Sequence, residues 1–295
     1  MKGSLRDRLL LGSAMAVFGT IGIFRHYIPL PSATVALMRA ALGALFVALC
    51  LALLRRRPDF RAVRANLAYL LFSGVFLGFN WVLLFEAYKY TTVAAATLSY
   101  YMAPIILVLA APLFLGERLT LKKGACALAA LGGMVLVSGV LDAGFSGGAE
   151  LIGIGLGLAA ACLYAAIIIL NKKMQGIDAM TKTLCQFAVS AVVLFPYVLL
   201  VEEVTREMFT PLGIALLLAV CFVHTGLAYV AYFGAVRELP SATVAIFSYI
   251  DPVLAVLLSA LFLKEPITPL GIAGAVLVLG AAFFSEYTPQ RKTDN

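Results

Sequence analysis

The chain has 295 residues, of which 63% are hydrophobic and 13% charged, against roughly 45–50% and about 25% in a soluble domain. That balance excludes a water-soluble globular protein and requires an integral membrane protein. The formal net charge of +7 does not point to nucleic acid, because the basic residues cluster in short loops between apolar runs, the pattern that sets membrane orientation.

A bilayer core takes about 20 apolar residues per helix. Runs of that kind recur along the chain at 9–28, 33–54, 65–87, 93–115, 121–141, 151–171, 178–201, 211–235, 240–263 and 267–286. None alternates polar and apolar residues as a barrel wall must, so the class is all-α, with ten transmembrane helices. Lys2, Arg6 and Arg8 ahead of the first run imitate a signal peptide. Because the run continues toward Tyr27 and Ile28 and further spans follow, it reads as a retained first helix. The five cysteines fall inside apolar runs without metal-ligand spacing, and read as buried thiols. No metal and no cofactor is called for. Gly153, Gly155 and Gly157 lie in an apolar helix and lack the strand and turn of a nucleotide fingerprint.

Orientation follows from the loops. With the amino terminus inside, seventeen Lys and Arg fall in cytoplasmic segments, among them Arg55, Arg56, Arg57, Arg61 and Arg64, while the outer loops hold Arg25, Lys89, Arg206 and Lys264. Both termini are then cytoplasmic, in a multi-pass protein of the plasma membrane.

The chain also repeats itself. The segment 87–120 matches 235–268 without a gap at an offset of 148, pairing Tyr101 with Tyr249, Pro104 with Pro252, Glu117 with Glu265 and Thr120 with Thr268. The same offset pairs Gly78 with Gly226, Trp81 with Tyr229 and Phe85 with Phe233. Two units result, 1–148 and 149–295. Each holds five spans, an odd number, so the second enters the membrane from the opposite side. Inverted repeats characterise many secondary transporters, whose substrate sites lie near the bilayer midplane between the copies.

Ten spans in two inverted copies, each with a fourth helix running from a mid-helix proline through a Leu-rich stretch to a glutamate (Pro104 to Glu117, Pro252 to Glu265), resemble the EamA-type members of the drug/metabolite transporter superfamily. The resemblance implies transport of small metabolites, often amino acids, nucleosides or quaternary amines, and frequently export. It implies no enzyme.

Charged and polar groups within spans are costly, about 2.5–3.5 kcal/mol for a charge at mid-helix on insertion scales, so each needs a reason. Asp251 stands mid-span before Pro252. That proline cannot bond the Ser248 carbonyl, and Pro104 likewise frees the carbonyl of Tyr100. These positions form an expected binding or hinge locus, with Pro104 and Pro252 structural or gating. His224, near the centre of the eighth span, is a candidate proton relay with Asp251. Glu86 ends the third span and Arg39 lies in the second. The two either form a structural ion pair or leave Glu86 free to meet a cationic solute. Aromatic residues crowd the same depth, among them Trp81, Tyr100, Tyr101, Tyr229, Tyr232 and Tyr249, beside Asn80; Asn80 and Trp81 point about 100° apart on a helix, so one of them faces a cavity. Aromatic faces beside a carboxylate suit a methylated ammonium through cation–π attraction.

These residues describe a secondary transporter of small polar metabolites, amino-acid-like or amine, working by alternating access between the repeats, with protons as a candidate coupling ion. An amino-acid-like zwitterion needs both signs at the site, for instance Arg39 with Asp251 or Glu86, whereas a quaternary amine needs a carboxylate and an aromatic cage. An intramembrane enzyme using His224 and Asp251 is the alternative from another class. The expected partners are a small-molecule substrate and the bilayer, with no nucleic acid, and the carrier is a monomer or a homodimer.

Overall fold

The computed structural model describes residues 5–116, 121–137, 148–238, 247, 250–264 and 268–286, and these are helical with short connections and no strand. The helices are α1 (Leu5–Gly19), α2 (Ile21–His26), α3 (Ser32–Leu53), α4 (Phe60–Ala65), α5 (Leu67–Tyr90), α6 (Val93–Tyr100), α7 (Ala103–Leu115) and α8 (Leu121–Val137), followed by α9 (Gly148–Lys173), α10 (Ala179–Val201), α11 (Pro211–Ala219), α12 (Ala228–Glu238), α13 (Ile250–Leu258) and α14 (Pro269–Glu286). Two π-helical stretches, Val220–Leu227 and Ser259–Leu263, extend α11 and α13. The side chains of Asp59, Thr92, Asp178 and Thr210 accept backbone N–H bonds at the starts of α4, α6, α10 and α11. Each satisfies donors that the first turn of a helix leaves open.

Six segments are long and apolar enough to cross a membrane: 5–26, 32–53, 67–90, 148–173, 179–201 and 211–232. Apolar helices at 95–107, 124–133 and 269–281 are shorter. Of the ten expected spans, six are full length among the described residues, and three of the ten carry a local irregularity. The expected fourth span breaks at Tyr101 and Met102, because Pro104 has no N–H to continue the ladder; Met102 N–H turns back to Ser99 instead. The first span breaks at Thr20, and the eighth winds as a π-helix over its middle.

Packing runs across the halves of the chain. Helix α5 lies against α9 and α10, α3 against α10, α8 against α14, and α1 against α12 and α13. Adding 148 to one set of contacts yields another: α5 with α9 becomes α12 with α1, and α9 with α7 becomes α1 with α13. The pairs α3 with α10 and α8 with α14 map onto themselves. Trp81 and Tyr229, themselves 148 apart, are joined by a bond from Trp81 Nε1 to the Tyr229 hydroxyl of 3.1 Å.

The close approaches rest on glycine. A Cβ on Gly74 of α5 would stand 2.6 Å from Cβ of Val189 and 2.9 Å from the carbonyl oxygen of Gln186 on α10, whereas one on Gly124 of α8 would meet nothing within 4 Å. Overpacking of a tight contact costs about 1–3 kcal/mol, and Gly to Ala in an open helix gains up to about 1 kcal/mol. Gly74→Val is expected to lower the thermal midpoint of the purified protein by several degrees, and Gly124→Ala to leave it level or raise it. Equal midpoints for the two variants would contradict the packing of α5 on α10.

Candidate functional site

A cavity of about 620 Å³ lies where helices of both halves meet. Its inner wall carries Arg39, Trp81, Tyr100, Tyr101, Pro104, Tyr164, Tyr229, Tyr232 and Asp251. It reaches the surface beside the exposed Lys172, Gly176 and Asp178, at the end of the molecule where α3 leads into the arginine-rich stretch before α4. Toward the other end its wall continues through Gly22, Leu84, Tyr88 and Thr97, near the buried Ile28, Ser32 and Phe85.

Arg39 is 2% exposed. Its Nε donates to Thr225 Oγ1 at 2.9 Å, its guanidinium carbon lies 4.1 Å from the centroid of Trp81 and 5.1 Å from that of Phe85, and it lies against the Tyr229 hydroxyl. Thr225 is free to accept because its own proton goes to the carbonyl of Val220, five residues back, at 2.9 Å. The π-winding makes that reach possible. A cation–π contact supplies about 0.5–2 kcal/mol, less than the cost of a charge at mid-membrane, so the ring alone does not hold Arg39 and the neutral donors and acceptors around it are required.

Glu86 is not the partner of Arg39. Its Oε2 pairs with Lys89 Nζ at 2.8 Å, one turn along α5, and it does not line the cavity. Proximity in sequence decides this: a lysine three residues on reaches a carboxylate without crossing to another helix. Asp251 does line the cavity, is half-buried, and has no hydrogen-bond or ion-pair partner among the described residues. His224 is buried outside the cavity wall, with Nε2 2.7 Å from Thr20 Oγ1 and Nδ1 3.4 Å from the carbonyl of Ala219. It ties the break in the first span to the π-helix of the eighth and does not meet Asp251. Asn80 faces away from the cavity too, giving its amide to the carbonyl of Ala160 at 2.6 Å and accepting from Tyr100 at 3.4 Å. Ser248 and Tyr249 lie outside the described residues, and Pro252 stands in the first turn of α13.

The aromatic wall is tied by hydroxyls. Tyr164 and Tyr232 meet at 2.8 Å, and Tyr100 stacks on Tyr164 with centroids 5.4 Å apart. Gln186 donates to Ser73 at 2.8 Å and to Asn171 at 3.1 Å, bracing α10 to α5 and α9 as Arg39 braces α3 to the π-helix. One strut had no signal in the sequence. Glu202, just past α10, accepts from the backbone N–H of Ala33 and Thr34 at 2.8 and 2.6 Å and from the Thr34 hydroxyl at 2.7 Å. It caps α3 from the other half of the chain, because Pro31, which precedes the helix, offers no side-chain acceptor.

Comparison with known proteins agrees with this picture. The model of the EamA-like transporter family matches residues 8–139 and again 151–287. An uncharacterized transporter, YxxF, of Bacillus subtilis (strain 168) is 27% identical over 84% of this chain and 79% of its own length. An uncharacterized transporter of Vibrio cholerae is 33% identical over 68% of this chain and 63% of its own. The chloramphenicol-sensitive protein RarD of Pseudomonas aeruginosa is 28% identical over 91% of this chain and 89% of its own. A solved crystal structure shares the fold, with a TM-score of 0.68 at 19% identity over 94% of this chain and 95% of that one.

The cavity makes a direct prediction. With the five free cysteines replaced, Leu107→Cys and Ile168→Cys on the wall, both partly exposed, should react with a membrane-impermeant maleimide added at the Lys172 face. Ser73→Cys, fully buried away from the cavity, should stay unlabelled. Reaction of all three at one rate would contradict the cavity as described.

Proposed function

We propose that this chain, which belongs to the EamA-like transporter family, is a secondary carrier that moves a small polar metabolite across the membrane by alternating access, and is not an enzyme. The observation that carries this reading is the cavity itself: about 620 Å³, the size of a metabolite site, with a cation and a carboxylate in its wall and the exposed Lys172, Gly176 and Asp178 at its rim. The relatives are named as transporters. An intramembrane enzyme is disfavoured by the separation of His224 from Asp251, since His224 stands outside the wall that Asp251 lines.

The 148-residue interchange of helix contacts supports two inverted five-helix repeats, 1–148 and 149–295. It also changes what rocks. Each helix finds its main neighbours in the other half, so the moving bodies are mixed bundles, not the sequence halves. The excess of basic residues at the open end puts that end, and both termini, in the cytoplasm, and the cavity then faces inward, in the plasma membrane of a monomer or homodimer. Both substrate classes fit the polar count: an amino-acid-like zwitterion uses Arg39 and Asp251, and a quaternary amine uses Asp251 with the tyrosine wall.

Proton coupling, in this reading, rests on Asp251, because Glu86 is paired with Lys89 and His224 with Thr20 outside the cavity. Proteoliposomes test both parts. Solute flux without chemical change is expected, and Asp251→Asn should abolish its pH dependence. Turnover in detergent without flux would overturn the carrier, and an unaltered pH profile in Asp251→Asn would overturn the coupling.

A further inference from the structure

The sequence offers Arg39 either as a structural residue or as one of the two signs a zwitterion needs, and its surroundings in the fold do not discharge it. The side chain is 2% exposed, and among the described residues no carboxylate partners it. Nε is taken by Thr225, one face is covered by Trp81, and the guanidinium still forms part of the cavity wall. A structural arginine in lipid ordinarily has its charge met by an acid or by backbone carbonyls, as Arg25 is by the carbonyl of Ile28, and among the described residues Arg39 donates to neither. Here a planar fork of donors is held by a ring and two hydroxyls in a residue that lines the cavity.

Its place in the fold adds a second argument. Trp81 and Tyr229 are 148 residues apart and hydrogen-bonded to each other. Two residues that a two-fold operation exchanges can touch only near the axis of that operation. The ring under Arg39 and the hydroxyl against it are this pair. A group on the axis between inverted repeats faces the solute whichever mouth is open, whereas a group near either mouth faces it in one state.

We infer that Arg39 is the specificity-determining residue of the site, binding the carboxylate of a small zwitterion whose cationic group is met by Asp251 across the same cavity. The inference rests on the carrier reading above and narrows it, since a quaternary amine without an anionic group leaves the guanidinium unanswered. The donor geometry suits a carboxylate taken two-pronged, which a lysine in the same position matches only as a point charge.

The test uses the full chain purified in detergent, with the proteinogenic amino acids as probes and thermal stabilisation as the readout. For each acid that stabilises, its methyl ester and its decarboxylated amine are titrated alongside. The acid is expected to bind at least about tenfold more tightly than either analogue. Arg39→Lys should weaken the acid by about tenfold while retaining some preference for it, and Arg39→Gln should make acid and ester equal. That ratio is what a purely structural role would leave unmoved, and Arg39→Lys serves if Arg39→Gln fails to fold. No stabilisation by any amino acid, equal binding of acid and ester to the parent protein, or an unchanged ratio in both variants would each overturn the inference. Flux in proteoliposomes separates it from the reading beneath it: transport indifferent to esterification sinks Arg39 and spares the carrier, whereas carboxylate-dependent binding without flux sinks the carrier and spares Arg39.

Discussion

A guanidinium held within lipid depth, with no acid beside it among the described residues, is the constraint around which the site is arranged. Its cost is of the order of a few kcal/mol, and the molecule offsets it by small neutral interactions. Trp81 and Phe85 offer their faces, Thr225 accepts from Nε, and Tyr229 adds its hydroxyl. Thr225 can do this only because the eighth span winds as a π-helix, bringing the Val220 carbonyl within reach of the Thr225 hydroxyl. The neighbouring His224 turns its Nδ1 toward the carbonyl of Ala219, five residues back, in the same manner. The π-helix is thus no ornament of packing. It moves two polar side chains one step around the helix, one toward Arg39 and the other toward Thr20.

Irregular backbone elsewhere collects in the same region. The break at Thr20, the break at Tyr101 and Met102, and the π-helix over Val220–Leu227 all belong to elements that line or flank the cavity. Helices that brace the bundle, such as α3, α5, α9 and α10, run unbroken. Membrane proteins tolerate non-helical backbone only where protein or a water-filled cavity satisfies its polar groups. The distribution here follows that rule, while the unbroken helices supply wall as well, with Arg39 on α3, Trp81 on α5 and Tyr164 on α9.

Much of this was legible in the residues. The class, the family and the 148-residue offset came from apolar runs and from Tyr, Pro, Glu and Thr recurring in register, since hydropathy is a local property and a duplication is a matter of counting. Trp81 and Tyr229 were singled out by their depth and by sharing an offset position. What failed was pairing. Glu86 was set against Arg39 because antiparallel neighbours often touch, but Lys89 is one turn away on the same helix and wins by proximity. Nothing near Glu202 in the chain announces that it caps α3 across the molecule, because its partners are backbone N–H groups 168 and 169 positions distant. The π-winding was invisible too, since Val220–Leu227 reads as ordinary apolar helix.

The cross-packing of the halves carries the mechanism one step further. Had each repeat folded on itself, a rocking motion would slide one compact body over another along a single interface. Here α5 is clasped by α9 and α10, and α1 by α12 and α13, so a slide between halves would break nearly every contact in the core. The tight glycine approaches say the same: Gly74 sits on Val189, Gly157 on Ser99, and Gly19 on the backbone of Asp251, each joining the two halves or closing on the cavity wall. Such contacts have room for tilting about a point but not for translation. The pivot consistent with both copies is the place where the symmetry-related pair meets, Trp81 on Tyr229. Arg39 rests on that pair, so the proposed alternating access would leave the charge at the fulcrum, where displacement during a tilt would be smallest, and would spare the guanidinium a change of surroundings that the lipid penalises.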